Sequence, residues 1–209
     1  MNSHTENRLK EAARKILAHA RNGDWGHTLR AVDYGKYLLE YEEGDPEIVI
    51  PALYLHDIGW SRVDFSDFKQ ATPANKVGAA SVRLHMQYGA ELAVDILSQL
   101  EYDPSTRNSI VSIIAVHDDT NTIFAMNDPS ATLVAEADRL DRYGLESLKR
   151  YKAMFGKGYL TGNQLEEARK TRQDGLKKWF RTPTAIALAT KLAKEMGWFD
   201  TARGGITNQ

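Results

Sequence analysis

Leu53-Tyr54-Leu55-His56-Asp57-Ile58-Gly59 closes an apolar run that begins at Ile48 and continues through Val49, Ala52, Leu53 and Leu55. A helix that is apolar on every side belongs in the interior of a protein rather than on its surface. The imidazole and carboxylate at its end are then deep polar groups that need partners. Adjacent side chains on a helix of 3.6 residues per turn point about 100° apart, so His56 and Asp57 converge on one ion only where it sits against the last turn. Gly59 is a helix-stop signal. An adjacent His-Asp pair by itself is a common hydrogen-bonded helix end; its weight as the centre of a metal site comes from residues elsewhere in the chain.

The rest of the sequence reads as helical. Asp45-Pro46, Asp103-Pro104, Asp128-Pro129 and Thr182-Pro183 each place an N-cap residue before Pro at the first helical position. Upstream, residues 5–21 carry Leu9, Ala12, Ala13, Ile16, Leu17 and Ala20 on one face, and residues 26–43 predict a second helix that ends at Gly44. Residues 89–100, with Ala90, Leu92, Ala93, Ile96, Leu97 and Leu100, predict another, and the C-terminal third predicts helices over 145–155, 161–180 and 182–196. No stretch alternates with the period of two of a half-buried strand. The predicted class is all-α. Residues 61–76, with Phe65, Asp67, Phe68, Lys69 and Pro73, and residues 119–128 read as loops long enough to carry function.

A chain of 209 residues is most simply one domain. Its weakest joint is Gly156-Lys157-Gly158, which sets a core over about 20–150 apart from a helical extension over about 156–200. That extension packs on the core or against a second copy in a homo-oligomer. With 27 Lys+Arg against 28 Asp+Glu the net charge is −1, which provides no global field for nucleic acid or an anionic membrane. Neither is an expected partner, and recognition of an anion must be local. The absence of cysteine excludes disulfides, thiolate catalysis and zinc-thiolate sites, leaving nitrogen and oxygen ligands for any metal. No apolar run reaches the ~20 residues of a membrane span. Met1-Asn2-Ser3-His4-Thr5-Glu6 lacks the pattern of a signal peptide, so a cytoplasmic location is expected.

The remaining histidines and one aspartate give the His-Asp pair its context. His56 stands ten residues after Pro46, His117 thirteen after Pro104 and Asp138 nine after Pro129. At ~1.5 Å per residue, each Pro-started helix delivers a potential ligand about 15 Å along its length, and antiparallel packing of such helices brings these ends together. His27 opens a helix, and His85 lies just before Gly89, on the approach to the next apolar helix. His4 and His19 fall outside the pattern. Any one of these histidines alone reads as a satisfied or exposed side chain, and Asp138 alone as an ion-pair partner of Arg139 or Arg142; the set points to a metal.

These residues sit in the segments Trp25-Gly26-His27-Thr28-Leu29-Arg30-Ala31-Val32, Ala52-Leu53-Tyr54-Leu55-His56-Asp57-Ile58-Gly59, His85-Met86-Gln87-Tyr88-Gly89-Ala90 and Ala137-Asp138-Arg139-Leu140-Asp141-Arg142-Tyr143-Gly144. In this order they resemble the HD-domain superfamily of metal-dependent phosphohydrolases. The resemblance implies an HD-domain helical bundle with additional C-terminal helices. It also implies that His27, His56, Asp57 and Asp138 ligate one divalent ion, and that His85 and His117 match the added histidines of two-ion members, with Asp57 shared. Such donors suit Mn, Fe, Co, Ni, Zn or Mg. Asp141, three residues after Asp138 on the same helix face, is either a group behind that ligand or the ligand itself.

The implied reaction is hydrolysis of a phosphate ester or phosphoanhydride in a nucleotide or other small phosphorylated metabolite by metal-activated water. Asp57 and Arg30 would be catalytic, and Arg30, Lys76, Arg83 or Arg150 would meet the anion. The ligand order also resembles mixed-valent di-iron oxygenases such as myo-inositol oxygenase, and a non-catalytic metal- or nucleotide-binding regulatory module is a third reading. Two departures bear on substrate rather than fold. Tyr143-Gly144-Leu145-Glu146-Ser147-Leu148-Lys149-Arg150 replaces the small-residue run of relatives while keeping its Arg, and His117 is followed by the acidic pair Asp118-Asp119.

Overall fold

All four Pro-initiated helices start at their caps. In the computed structural model the side chain of Asp45 accepts from the Glu47 amide, Asp103 from those of Ser105 and Thr106, Asp128 from those of Ser130 and Ala131, and Thr182 from that of Ala185. Each such cap contributes on the order of 1 kcal/mol. The structure describes residues 2–67, 79–155 and 162–198. Among them the helices are α1 (Ser3–Leu17), α2 (Asp24–Leu38), α3 (Pro46–Leu55), α4 (Ala80–Gln99), α5 (Pro104–Ile114), α6 (Thr120–Ala125), α7 (Pro129–Leu140), α8 (Leu145–Phe155), α9 (Asn163–Lys178) and α10 (Pro183–Glu195). Short 3-10 turns cover Ile58–Arg62 and Asp141–Tyr143. The described residues include no strand, and the protein is all-α. No described helix is long and apolar enough to cross a membrane.

The apolar run predicted for the interior is there. Residues 49–55 of α3 are all buried, and α1, α2, α5 and α7 pack around them. The polar ends of these helices carry the residues of interest. His56 caps the C-terminus of α3, His117 lies three residues beyond α5, and Asp138 lies in the last turn of α7. The ends of α3 and α7 meet, with His56 Nε2 3.7 Å from Asp138 Oδ1, so these helices converge by like ends. Antiparallel neighbours, as expected from the sequence, would have set a C-terminus beside an N-terminus.

Other expectations are corrected by local physics. The helix expected over 89–100 begins at Ala80, which places His85 inside α4 rather than ahead of it. Ser81, Val82, His85, Met86 and Gly89 are buried on one face of it, at the spacing of a helix stripe. Residues 119–128 are not an open loop, because Asp119 caps Asn121 and Thr122 and starts α6. The N-terminal helices end earlier than predicted, at Leu17 and Leu38. Gly59 does not stop a helix: α3 ends at Leu55, and Gly59 sits in the following 3-10 turn. A Cβ there would lie 1.9 Å from the His85 carbonyl oxygen and 2.5 Å from the Gly89 nitrogen, so glycine is required by the close approach of α4. Phe68, Lys69 and Lys76 lie outside the described residues.

The C-terminal helices are tied to α7. Glu136 is fully buried, and its carboxylate accepts from the Arg181 amide and from the amide and hydroxyl of Thr182, the last two at 2.8 and 2.6 Å. The Tyr143 hydroxyl donates to the Arg172 carbonyl at 2.7 Å, and Trp198 Nε1 donates to the Tyr143 carbonyl at 3.1 Å. These bonds fix the segment that carries Asp138 and Asp141.

The Gly59 contact yields a prediction. Gly59→Ala forces the turn away from backbone atoms of α4, and overpacking of this kind costs about 1–3 kcal/mol. Urea unfolding should show that loss, whereas an unchanged midpoint would mean that the turn relaxes freely.

Candidate metal centre

Three imidazoles have one nitrogen already engaged. His56 Nδ1 donates to the Leu53 carbonyl at 2.7 Å, His117 Nδ1 donates to the Ile114 carbonyl at 2.8 Å, and His27 Nδ1 meets Asp141 Oδ2 at 2.8 Å. A proton on Nδ1 leaves an Nε2 lone pair facing inward. His27 Nε2 and His56 Nε2 stand 3.1 Å apart, which sets two lone pairs against each other unless a proton or cation lies between them. Asp138 Oδ1 is 3.0 Å from His27 Nε2, and Asp57 Oδ2 is 3.6 Å from each of the two Nε2 atoms. Ligands about 2.0–2.2 Å from an ion stand about 3.0–3.6 Å from one another in octahedral or tetrahedral arrangements. His27, His56 and Asp138 come together at close to these spacings, the longest being 3.7 Å between His56 and Asp138, Asp57 stands beside both histidines, and the donor set fits a divalent cation.

A second cluster adjoins the first. His85 Nε2 is 3.3 Å from His117 Nε2 and 3.6 Å from Asp118 Oδ2. The other oxygen of Asp57, Oδ1, lies 3.7 Å from His85 Nε2 and 4.0 Å from His117 Nε2. Asp57 therefore presents one oxygen to each cluster. All the histidines of both clusters are buried, as are Asp57 and Asp138.

Charges around the clusters hold the carboxylates ionised. Burial opposes the charge on Asp57, but His56, Arg21, His27 and Arg150 hold its carboxyl well below the usual range. Burial likewise opposes Asp138, and its bond to His27 together with Arg142 outweighs it. Asp118 is brought down to about 2 against the effect of burial, with Arg142 the main cause. His27 moves the other way: burial and Arg150 would lower it, yet the bonds to Asp138 and Asp141 raise it above 6.5. Burial, followed by the neighbouring His117, takes His85 down to about 3.

Several residues around the centre were not singled out from the sequence. Arg21 and Asp24 are buried and complete a ring with Asp57 and Arg150. Arg21 meets Asp24 at 3.0 Å and Asp57 at 2.9 Å, while Arg150 meets Asp24 at 2.5 Å and Asp57 at 3.2 Å. Of the two arginines that the sequence offered as ion-pair partners of Asp138, Arg142 joins it at 3.4 Å and also meets Asp118 at 2.9 Å. Arg139 is fully buried and donates to the His117 carbonyl at 3.0 Å and to Thr120. No periodicity distinguishes such residues from solvated charges, and only the acidic pair after His117 hinted at Asp118.

The predicted anion-binding residues are placed unevenly. Arg30 forms a two-point pair with Asp141, behind His27. Arg150 stands behind Asp57, and Arg83 is on the exposed side of α4. Phe65 meets the Trp60 ring edge-on at 6.2 Å, so it helps pin its segment to the core.

Five helices thus bring together buried His/Asp groups that could hold a metal ion. The family model described as HD domain matches residues 24–143, more than half of the chain, and the chain belongs to the HD-domain family. A search of curated proteins and a search of solved structures gave no significant match.

Because His27 holds a proton more tightly than a free imidazole, a cation must displace that proton. Affinity for Mn²⁺ should therefore fall as pH drops through the region of 6.5 and above, by up to about tenfold per unit for each proton displaced. Calorimetry in buffers of different ionisation enthalpy should register proton release. Affinity independent of pH between about 5 and 8 would contradict the ligand role of His27.

Proposed function

We propose that the protein is a metal-dependent phosphohydrolase acting on a phosphate ester or phosphoanhydride of a nucleotide or other small phosphorylated metabolite. The observation that carries this reading is the division of Asp57, with Oδ2 beside His27 and His56 and Oδ1 toward His85 and His117. That division suits two neighbouring divalent ions, for which iron, manganese, cobalt, nickel, zinc and magnesium are the candidates. Ions held there would supply Lewis acidity toward a phosphoryl oxygen and would lower the pKa of a water to about 7.

The protein's own residues supply position and charge. Asp141 and the Leu53 and Ile114 carbonyls hold three imidazoles in the ligating tautomer. Asp118 has 15% of its side chain exposed, more than any other candidate ligand, and Arg142 and Arg30 have 24% and 27%. The partly exposed guanidinium groups of Arg30 and Arg142 are suited to an anionic phosphate. Arg150, exposed to only 12%, acts on the substrate through Asp57.

Protein loaded with Mn²⁺ or Co²⁺ should release phosphate from at least one member of a panel of phosphomonoesters, nucleotides and phosphodiesters. Asp57→Asn should abolish turnover; it is preferable to Ala, which would take from Arg21 and Arg150 the side chain they share. Arg30→Ala should weaken activity about 10- to 100-fold. Oxygen uptake with a polyol and no phosphate release would replace this reading with the di-iron oxygenase. Tight metal binding without either activity would make the protein a binding module.

A further inference from the structure

The four histidines of the centre are not held alike. Asp141 and two main-chain carbonyls fix the rings of His27, His56 and His117. His85 Nδ1 is buried and has no hydrogen-bond partner among the described residues. Its ring lies instead face to face with the Trp60 indole, at 4.2 Å and an interplanar angle of 13°. On the indole's other contact, the Arg21 guanidinium stands 3.8 Å from a Trp60 ring centroid. Trp60 Nε1 donates to Asp57 Oδ1 at 3.0 Å, while Arg21 holds Asp57 Oδ2 at 2.9 Å. Trp60 is 2% exposed, and the Gly59 contact locks its turn onto the backbone of α4 at His85.

We propose that Trp60 is a positioning residue for the cluster of His85, His117, Asp57 and Asp118. It orients His85 by stacking, as hydrogen-bond acceptors orient the other three imidazoles, and it steers the Asp57 oxygen that faces this cluster. Stacking fixes the plane of a ring but supplies no acceptor for a proton on Nδ1, and a buried donor without a partner is unfavourable. A cation in this cluster should therefore bind more weakly than one held by His27, His56, Asp57 and Asp138. The inference rests on the two-cluster reading of the centre and does not require that the substrate be a phosphate.

Titration of metal-free full-length protein with Mn²⁺, followed by calorimetry and by water-proton relaxation, tests this directly. The wild type should bind two ions per chain in a tighter and a weaker phase. Trp60→Leu, which removes both the stack and the N–H, should weaken the second phase about 10- to 100-fold and leave the tighter phase little changed. Trp60→Phe, which restores a stacking ring without the donor, should recover most of that loss. Circular dichroism should report unchanged helix in both variants. The proposal is overturned by a single phase in the wild type, by an unaltered second phase in Trp60→Leu, or by equal weakening of both phases. Failure to find a hydrolysed phosphate would leave this titration as it is, so the two readings fail separately.

Discussion

The carboxylate of Asp57 is 4% exposed, and a charge at that depth is tolerated only when it is paired and hydrogen-bonded. Its partners are Arg21, which follows α1, Arg150 on α8, and the Trp60 indole in the 3-10 turn. Asp24 at the start of α2 closes the ring by taking both arginines. Two acids and two bases thus form a neutral buried ring across four parts of the chain. What remains is a fixed carboxylate with an oxygen directed to each side, and the two His/Asp clusters are arranged about it.

Helix direction adds to this. His56 at the end of α3 and Asp138 in the last turn of α7 meet in the centre, with His117 just beyond α5. Helix C-termini carry partial negative charge and favour a nearby cation. The same geometry lets carbonyls of the last turns, Leu53 and Ile114, fix the imidazoles that follow. Ligand orientation and the field at the site therefore have one origin, the place where these helices stop. The C-terminal segment reinforces it, since Glu136, Tyr143 and Trp198 bind α7 and its following turn to α9 and α10.

The bundle was legible because its signals are local. Asp-Pro and Thr-Pro caps and the apolar run of α3 depend on neighbours within a few residues. The members of the candidate centre could also be named, through their family resemblance, and the structure brings His27, His56, Asp57, His85, His117 and Asp138 together. The groups behind the ligands could not be named in this way. Arg21 and Asp24 gain meaning only when residues 36 positions away come into contact, and Trp60 matters through the face it shares with His85. Gly59 was visible as a glycine but was assigned the wrong cause, because its need comes from α4 and not from its own backbone. Asp118 had a sequence signal, the acidic pair after His117, but the second member of that pair, Asp119, serves as the cap of α6.

The proposed function requires a divalent cation among the side chains of His27, His56, Asp57 and Asp138. Anomalous diffraction from crystals grown with Mn²⁺ tests it most directly. A peak is expected at about 2.0–2.3 Å from His27 Nε2, His56 Nε2, Asp57 Oδ2 and Asp138 Oδ1, with a second peak on the Oδ1 side of Asp57. Mn²⁺ bound only elsewhere, or no peak among these four side chains at saturating metal, would contradict it.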